Sequence, residues 1–403
     1  MKILVILMTA SILLISGCTS MKYSGTGDTT DSCGGTPDNA EYGLALSGGG
    51  YRAMLYHVGS LWRLHELGLL KKMDIISSVS GGSITAAQLA LNWDKLMDGG
   101  DFRKLIAEPL LGLNNKSIDV SAVLVGMLPG TNASSRVASL YDKHLYKKKS
   151  LQNIPDPADG APIFSILSTN LRTGKLAKFR HNCFYHYPTG YVPYPDISVG
   201  VAVASSSAFP PFLSPNTVEF EPGSVKRIQS GRDIGDLDLY DNTSYRYEYK
   251  LSDGGVYDNL GLEDINSDKL SHIFVSDAGA AYQPRDRIFS NWIIQMVHVL
   301  GTIDSQVRIF RIDELSRLIQ EKSGAYWRIH TTQDIYTSGR ESFDLKEEFE
   351  ANEVGRLSGI PTRLSTVDTP HQLINWGYTS TDNSLNRFYS DIDAYSGEFK
   401  LPY

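Results

Sequence analysis

A short apolar run, Gly43-Leu44-Ala45-Leu46-Ser47, stops at three consecutive glycines, and a second run, Asp74-Ile75-Ile76-Ser77-Ser78-Val79, stops at Ser80-Gly81-Gly82. Between them Met54, Leu55, Val58, Leu61 and Trp62 recur at three- and four-residue spacing, and Gly68 stands where a C-cap is expected. The pattern predicts a buried strand, a helix over 51–67, a second strand, and a helix over 83–91 rich in Ala, Leu and Ile. Such a crossover makes the two strands parallel and usually adjacent. The glycine turn and the Ser80 turn should therefore emerge side by side at the carboxyl edge of a sheet, where α/β folds build their sites.

Further strands are predicted over 163–167, 247–251 and 272–275, and helices over 291–303 and 372–376, while the polar stretch from Pro215 to Tyr245 reads as a surface hairpin or loop insertion. The fold class is α/β. A chain of 403 residues suits one large domain, expected over 42–403, with a core over 42–280 and a helical C-terminal extension over 281–403. With 41% hydrophobic and 21% charged residues the chain is neither a polytopic membrane protein nor disordered. A net charge of -7, with Lys147-Lys148-Lys149 as the only cationic run, excludes nucleic acid as the expected partner.

The amino end reads differently. Lys2 precedes an apolar run from Ile3 to Ile15, too short as a helix to span a hydrocarbon core of roughly 30 Å, and small residues lead to Cys18. Residues 1–17 are expected to be a signal peptide. Leu14-Ile15-Ser16-Gly17-Cys18 resembles the bacterial lipobox, with Cys18 as the lipidated residue and membrane anchor. The Ser-, Thr- and Gly-rich stretch over 18–41 reads as a flexible tether of about 25 Å reach. The expected location is the cell envelope, first an outer membrane facing the periplasm, since Thr19 carries no inner-membrane retention signal. Cys33 and Cys183 remain, and spacing alone leaves their pairing open.

Ser78-Val79-Ser80-Gly81-Gly82 joins a strand to a helix, the context of a nucleophile elbow, although Ser78 replaces the first glycine of G-x-S-x-G. Ser80 is the candidate nucleophile. The N–H groups of Gly49, Gly50 and Gly81 lie at helix N-termini, where an oxyanion is stabilised. In Leu251-Ser252-Asp253-Gly254-Gly255 an aspartate ends a strand and two glycines clear space around it, which makes Asp253 the candidate base. Asp258 is expected to hydrogen-bond locally. Arg52, in a first helical turn where a cation opposes the dipole, reads as a ligand for a substrate phosphate or an acidic neighbour. Nine histidines without metal-ligand spacing point to no metal, and the chemistry needs no cofactor.

Taken in order, Ser47-Gly48-Gly49-Gly50-Tyr51-Arg52-Ala53, the Ser80 elbow and Asp253-Gly254-Gly255 resemble the patatin-like phospholipases over about 42–262. Ser168-Thr169-Asn170-Leu171-Arg172-Thr173-Gly174 and Ala204-Ser205-Ser206-Ser207-Ala208-Phe209-Pro210-Pro211 are similar to family segments too. Ile360-Pro361-Thr362-Arg363-Leu364 and Leu373-Ile374-Asn375-Trp376-Gly377-Tyr378 are similar to tails of bacterial members. The resemblance implies a three-layer α/β/α sandwich with a mainly parallel central sheet, and a lipid acyl hydrolase of phospholipase A or lysophospholipase type acting through a Ser80–Asp253 dyad. The glycine motif is closer to that of the cytosolic phospholipases, whose matching arginine is needed for activity, which favours a membrane phospholipid substrate. Two alternatives share these residues: an α/β-hydrolase lipase whose triad adds a late histidine such as His371, and a lipid-binding envelope protein without turnover.

Overall fold

The computed structural model describes residues 22–27, 33–119, 133–228, 237–280, 292–332, 335, 349–392, 395 and 397–403. Cys18 and the expected signal peptide lie outside them.

Among the described residues eleven strands form one sheet: β1 (Lys22–Tyr23), β2 (Tyr42–Leu46), β3 (Ile75–Val79), β4 (Ile163–Asn170), β5 (Lys175–Phe179), β6 (Cys183–His186), β7 (Gly190–Pro193), β8 (Asn216–Phe220), β9 (Glu248–Asp253), β10 (His272–Asp277) and β11 (Ser323–Arg328). Its centre, in the order β11-β10-β2-β3-β4, is parallel throughout. An antiparallel arm, β5-β6-β7, grows from one edge of β4, and β9 and β8 also run antiparallel. The five main helices are α1 (Gly50–Glu66), α2 (Gly81–Ala90), α3 (Val199–Ser206), α4 (Trp292–Glu321) and α5 (Pro370–Phe388).

Alternate residues of the central strands feed two separate cores. Leu44, Leu46, Ile76, Phe164 and Phe274 pack with residues of α1, α2, α3 and α5, whereas Ala45, Ile75, Ile163, Ile273 and Val275 pack on the other face with Leu315 of α4. Covering both faces explains why these strands read as unbroken apolar runs. The result is the expected α/β/α sandwich.

Three segments carry more structure than the sequence suggested. The largely helical C-terminal extension also carries β11, which extends the sheet in register with β10, and its α5 packs along α1. The two helix backbones touch: a Cβ at Gly59 would overlap the Ile374 carbonyl, and one at Gly377 the Tyr56 carbonyl. The Pro215–Tyr245 stretch contains β8, whose inward Asn216, Val218 and Phe220 alternate with half-buried positions. Nor is the 18–41 stretch a free tether along its described part. Lys22–Tyr23 pairs with β8, Cys33 is joined to Cys183 by a disulfide, and Arg180 donates to the carbonyls of Cys33 (3.1 Å) and Gly35 (2.8 Å).

Candidate active site

Strand register places the two central residues. β5 occupies one edge of β4, so β3 and β9 must share the other. β3 runs with β4 and ends with Val79 opposite Leu167; β9 runs against β4 and ends with Asp253 opposite Ser168. The two strands thus meet head-on at neighbouring register positions, and the residues that follow converge. The Ser80 hydroxyl faces the Asp253 carboxyl group closely enough to favour its ionised form.

Ser80 adopts φ +51°, ψ -117°, a conformation that L side chains rarely take and that marks a strained elbow. The elbow is held by close packing. A Cβ at Gly81 would overlap the Gly50 carbonyl and one at Gly82 the Leu46 carbonyl, so only glycine lets α2 start this near the first turn. The Ser80 N–H donates to Ser206 Oγ at 2.9 Å, and Ser206 Oγ is 2.9 Å from Ser83 Oγ.

The N-termini of α1 and α2 meet here, and neither first turn carries an acidic residue. The Gly48 N–H donates to the Asn259 carbonyl (3.1 Å) and the Tyr51 N–H to the Arg363 carbonyl (2.8 Å). Between them, the N–H groups of Gly49 and Gly50, and that of Gly81 across the gap, have no acceptor among the described residues. Three such donors beside a buried hydroxyl can bind a developing oxyanion.

Asp253 is 3% exposed. Its Oδ1 accepts from the Gly255 N–H at 2.8 Å, and its own N–H donates to the Ala208 carbonyl at 2.9 Å. Burial raises its pKa to about 6, against the opposing effect of the Gly255 and Ser80 hydrogen bonds, and the charge of Asp304 adds to the rise. A carboxylate near neutrality is a competent proton acceptor. Asp258 behaves as expected: its carboxylate accepts from the N–H groups of Leu260 (3.0 Å) and Glu263 (2.8 Å).

Ser80 opens onto a cleft of about 460 Å³ whose wall includes Phe209, Phe212, Leu213 and Leu364, with Phe209 and Phe212 exposed at its rim. Such dimensions suit an acyl chain. Among the described residues no cluster of His, Cys, Asp or Glu could hold a metal ion. No described histidine hydrogen-bonds to Ser80 or Asp253; His371 stacks on Tyr403, His272 stacks on Tyr42, and His57 bonds to Ser276 Oγ and the Ser47 carbonyl.

Arg52 is not where a substrate phosphate could reach it. Its buried guanidinium donates to the Ala278 carbonyl (3.1 and 2.9 Å), the Ile360 carbonyl and Thr362 Oγ1 (3.2 Å), and it does not line the cleft. Burial, with the nearby Arg308 charge, lowers its pKa to about 10. Its acceptors belong to chain segments over 200 residues away in sequence, which local dipole reasoning at a helix N-terminus does not register. Arg363 lines the cleft instead. Ser206 and the Ala208 carbonyl, which fasten Ser80 and Asp253, were signalled only by the small-residue run over 204–211.

A family model of the patatin-like phospholipases matches residues 44–265, more than half of the 403-residue chain. Among solved structures, human GIVD cytosolic phospholipase A2 is similar at 12% identity over 92% of this chain and 59% of that one, with a TM-score of 0.47 for its complex with methyl gamma-linolenyl fluorophosphonate. A second structure of that human protein gives 12% identity, 86% and 61% coverage and a TM-score of 0.43. VipD from Legionella pneumophila gives 14% identity, 95% and 73% coverage and a TM-score of 0.37. The chain spans less than two thirds of the human chains' length. No curated protein matches it in sequence. With the family match enclosing the glycine turn, the Ser80 elbow and Asp253, the chain belongs to the patatin-like phospholipase family of lipid hydrolases.

Proposed function

We propose that the chain cleaves carboxylic esters of membrane lipids, as a phospholipase A or lysophospholipase, through a Ser80–Asp253 dyad and an acyl-enzyme. The observation that carries this reading is the head-on meeting of β3 and β9, which sets the Ser80 hydroxyl beside a buried carboxyl group at the floor of an apolar cleft.

Asp253 accepts the Ser80 proton as Oγ attacks the ester carbonyl, and the N–H groups of Gly49, Gly50 and Gly81 stabilise the tetrahedral oxyanion. On collapse the proton passes from Asp253 to the leaving alcohol. Water then gives a proton to Asp253 while its oxygen attacks the acyl-serine, and Ser80 regains that proton as the fatty acid leaves. Asp253, whose pKa burial raises to about 6, can take the Ser80 proton without a histidine between them, which supports a dyad over a triad. Lipidation of Cys18, in an outer membrane facing the periplasm, would keep the site at its substrate.

Hydrolysis of a phospholipid by Ser80→Ala, Asp253→Asn and single alanine variants of His272, His298, His330 and His371 tests the reading. The first two should lose several orders of magnitude and no histidine variant should. A comparable loss at one histidine, with Asp253→Asn mild, would move the protein to a triad. Cys18→Ser should move the protein out of the membrane fraction; unchanged fractionation would contradict the anchor.

A further inference from the structure

We infer that the outward face of α4 docks on a lipid bilayer, lying along its surface and bringing the mouth of the Ser80 cleft to the hydrocarbon. The inference rests on the lipid-hydrolase reading of that cleft and adds how the site meets its substrate.

A helix on the surface of a folded protein ordinarily turns its apolar face inward. Between residues 299 and 310 α4 does the reverse. Val299, Ile303, Val307 and Phe310 follow one another at four- and three-residue spacing, so they share one face, and they are between 40% and 71% exposed. Asp304 and Arg308, the two charged residues of the stretch, stand one turn apart on the protein side. Arg308 is buried and donates to Asp277 Oδ2 (2.6 Å) and to the carbonyls of Ala280 (2.6 Å) and Gly279 (3.3 Å), while Asp304 lines the crevice between α4 and the helical turn Gly255–Asp258. With its charged side fixed inward, this part of α4 presents an uncharged apolar stripe about 17 Å long.

The stripe leads to the rim of the cleft. Val307 and Gly255 line the same crevice. Asp253 is clamped by the Gly255 N–H (2.8 Å) and the Ala208 carbonyl (2.9 Å), and the residue after each clamp, Val256 and Phe209, is an exposed apolar side chain. Phe209 and Phe212 stand at the cleft mouth. One apolar surface thus runs from α4 past Asp253 to the opening above Ser80.

That continuity names the occupant. An acyl chain leaving a bilayer for the cleft crosses this rim, and a flanking face seated at the acyl boundary keeps the chain out of water on the way. With a net charge of -7 the protein has no general attraction to anionic headgroups, so the contact depends on buried apolar area. Among the described residues no helix is long and apolar enough to cross a membrane, and α4 lies on the surface rather than spanning it.

A nitrobenzoxadiazole dye on Ile303→Cys reads the contact at its own position. The chain is full length with Ser80→Ala, which keeps the lipid intact, and Cys18→Ser; Cys33 and Cys183 are disulfide-bonded, so residue 303 carries the one free thiol. A control dye on Lys72→Cys, exposed just before the amino end of β3, marks the opposite edge of the sheet. On phosphatidylcholine vesicles the dye at 303 should brighten and be quenched by nitroxide lipids, the dye at 72 should do neither, and adding Val299→Asp/Phe310→Asp should abolish the change. With Ser80 and Cys18 intact, the same double substitution should lower hydrolysis of vesicle phosphatidylcholine by about tenfold to a hundredfold and leave monomeric dihexanoyl phosphatidylcholine unchanged. A dye at 303 that ignores vesicles, is already shielded without them, or brightens when the protein alone is concentrated would overturn the inference, the last two in favour of cover by the chain itself or by a second copy. Equal losses on vesicle and monomer would overturn it in favour of a structural role for the stripe. Quenching at 303 with no hydrolysis by the unmodified chain would contradict the proposed reaction and leave the docking face standing.

Discussion

Replacing Asp253 by Asn should make the protein more stable at pH 8 while removing its activity. Burial lifts the Asp253 pKa from 3.8 to about 6, and each unit corresponds to about 1.4 kcal/mol. Ionising this carboxyl group thus costs the folded protein about 3 kcal/mol more than it costs the unfolded chain. The sign follows from the direction of the shift. Below pH 3.8 the group is protonated in both states and carries no penalty; between 3.8 and about 6 the folded state holds the proton more tightly; above 6 the stabilisation is lost in full. Asn has the same shape, can accept from the Gly255 N–H as Oδ1 does now, and never ionises. Urea unfolding of the non-reduced protein should therefore give unfolding free energies that nearly coincide at pH 4 and diverge by about 3 kcal/mol at pH 8, the variant being the more stable. A midpoint difference independent of pH, or a less stable variant at pH 8, would refute the reasoning, because it would mean that Asp253 is structurally satisfied as an anion.

The same shift predicts that kcat/KM on a soluble short-chain ester falls about tenfold per unit as pH drops below about 6, since only the ionised base accepts the Ser80 proton; a profile flat to pH 4.5 would contradict it. Reduction, or the double substitution Cys33→Ser/Cys183→Ser, should lower the unfolding free energy by up to about 5 kcal/mol and the urea midpoint with it, because the disulfide closes a loop with a sequence separation of 150 residues. An unchanged midpoint would show that the N-terminal segment adds nothing to the fold. Gly59→Ala, which helix propensity alone would make stabilising, should instead destabilise by about 3 kcal/mol, as its methyl would meet the Ile374 carbonyl. A gain in stability would contradict the close packing of α1 on α5.

The β2–α1–β3–α2 unit was legible because its signals are local: apolar runs ended by glycines and a helical repeat bounded by Gly68. Ser80 and Asp253 were legible for the same reason, each closing a strand before glycines. That they meet came only from the family resemblance, because the head-on approach depends on β9 pairing antiparallel with β4 beyond the end of β3, and register between distant strands leaves no local trace. Arg52 shows the opposite failure. Its place beside the glycines suggested a ligand, but the acceptors that hold it, Ala278, Ile360 and Thr362, come from segments that pack there only in the folded chain. The 18–41 stretch has the composition of a linker, yet one cysteine and the carbonyls reached by Arg180 fix part of it to the sheet. Composition reports the average of a segment, whereas these contacts are made by single residues.

The central claim is that Ser80 is a nucleophile activated by Asp253, and covalent trapping tests it most directly. A lipid fluorophosphonate, which forms a stable bond to an activated serine hydroxyl, would be incubated with the full-length protein and the adduct located by peptide mass mapping. The account predicts one adduct, on the peptide carrying Ser80, absent from Ser80→Ala, formed far more slowly by Asp253→Asn, and formed at ordinary rates when His272, His298, His330 or His371 is replaced by Ala. An adduct on another serine, or labelling of Ser80 that survives Asp253→Asn and fails with one of the histidines, would contradict it.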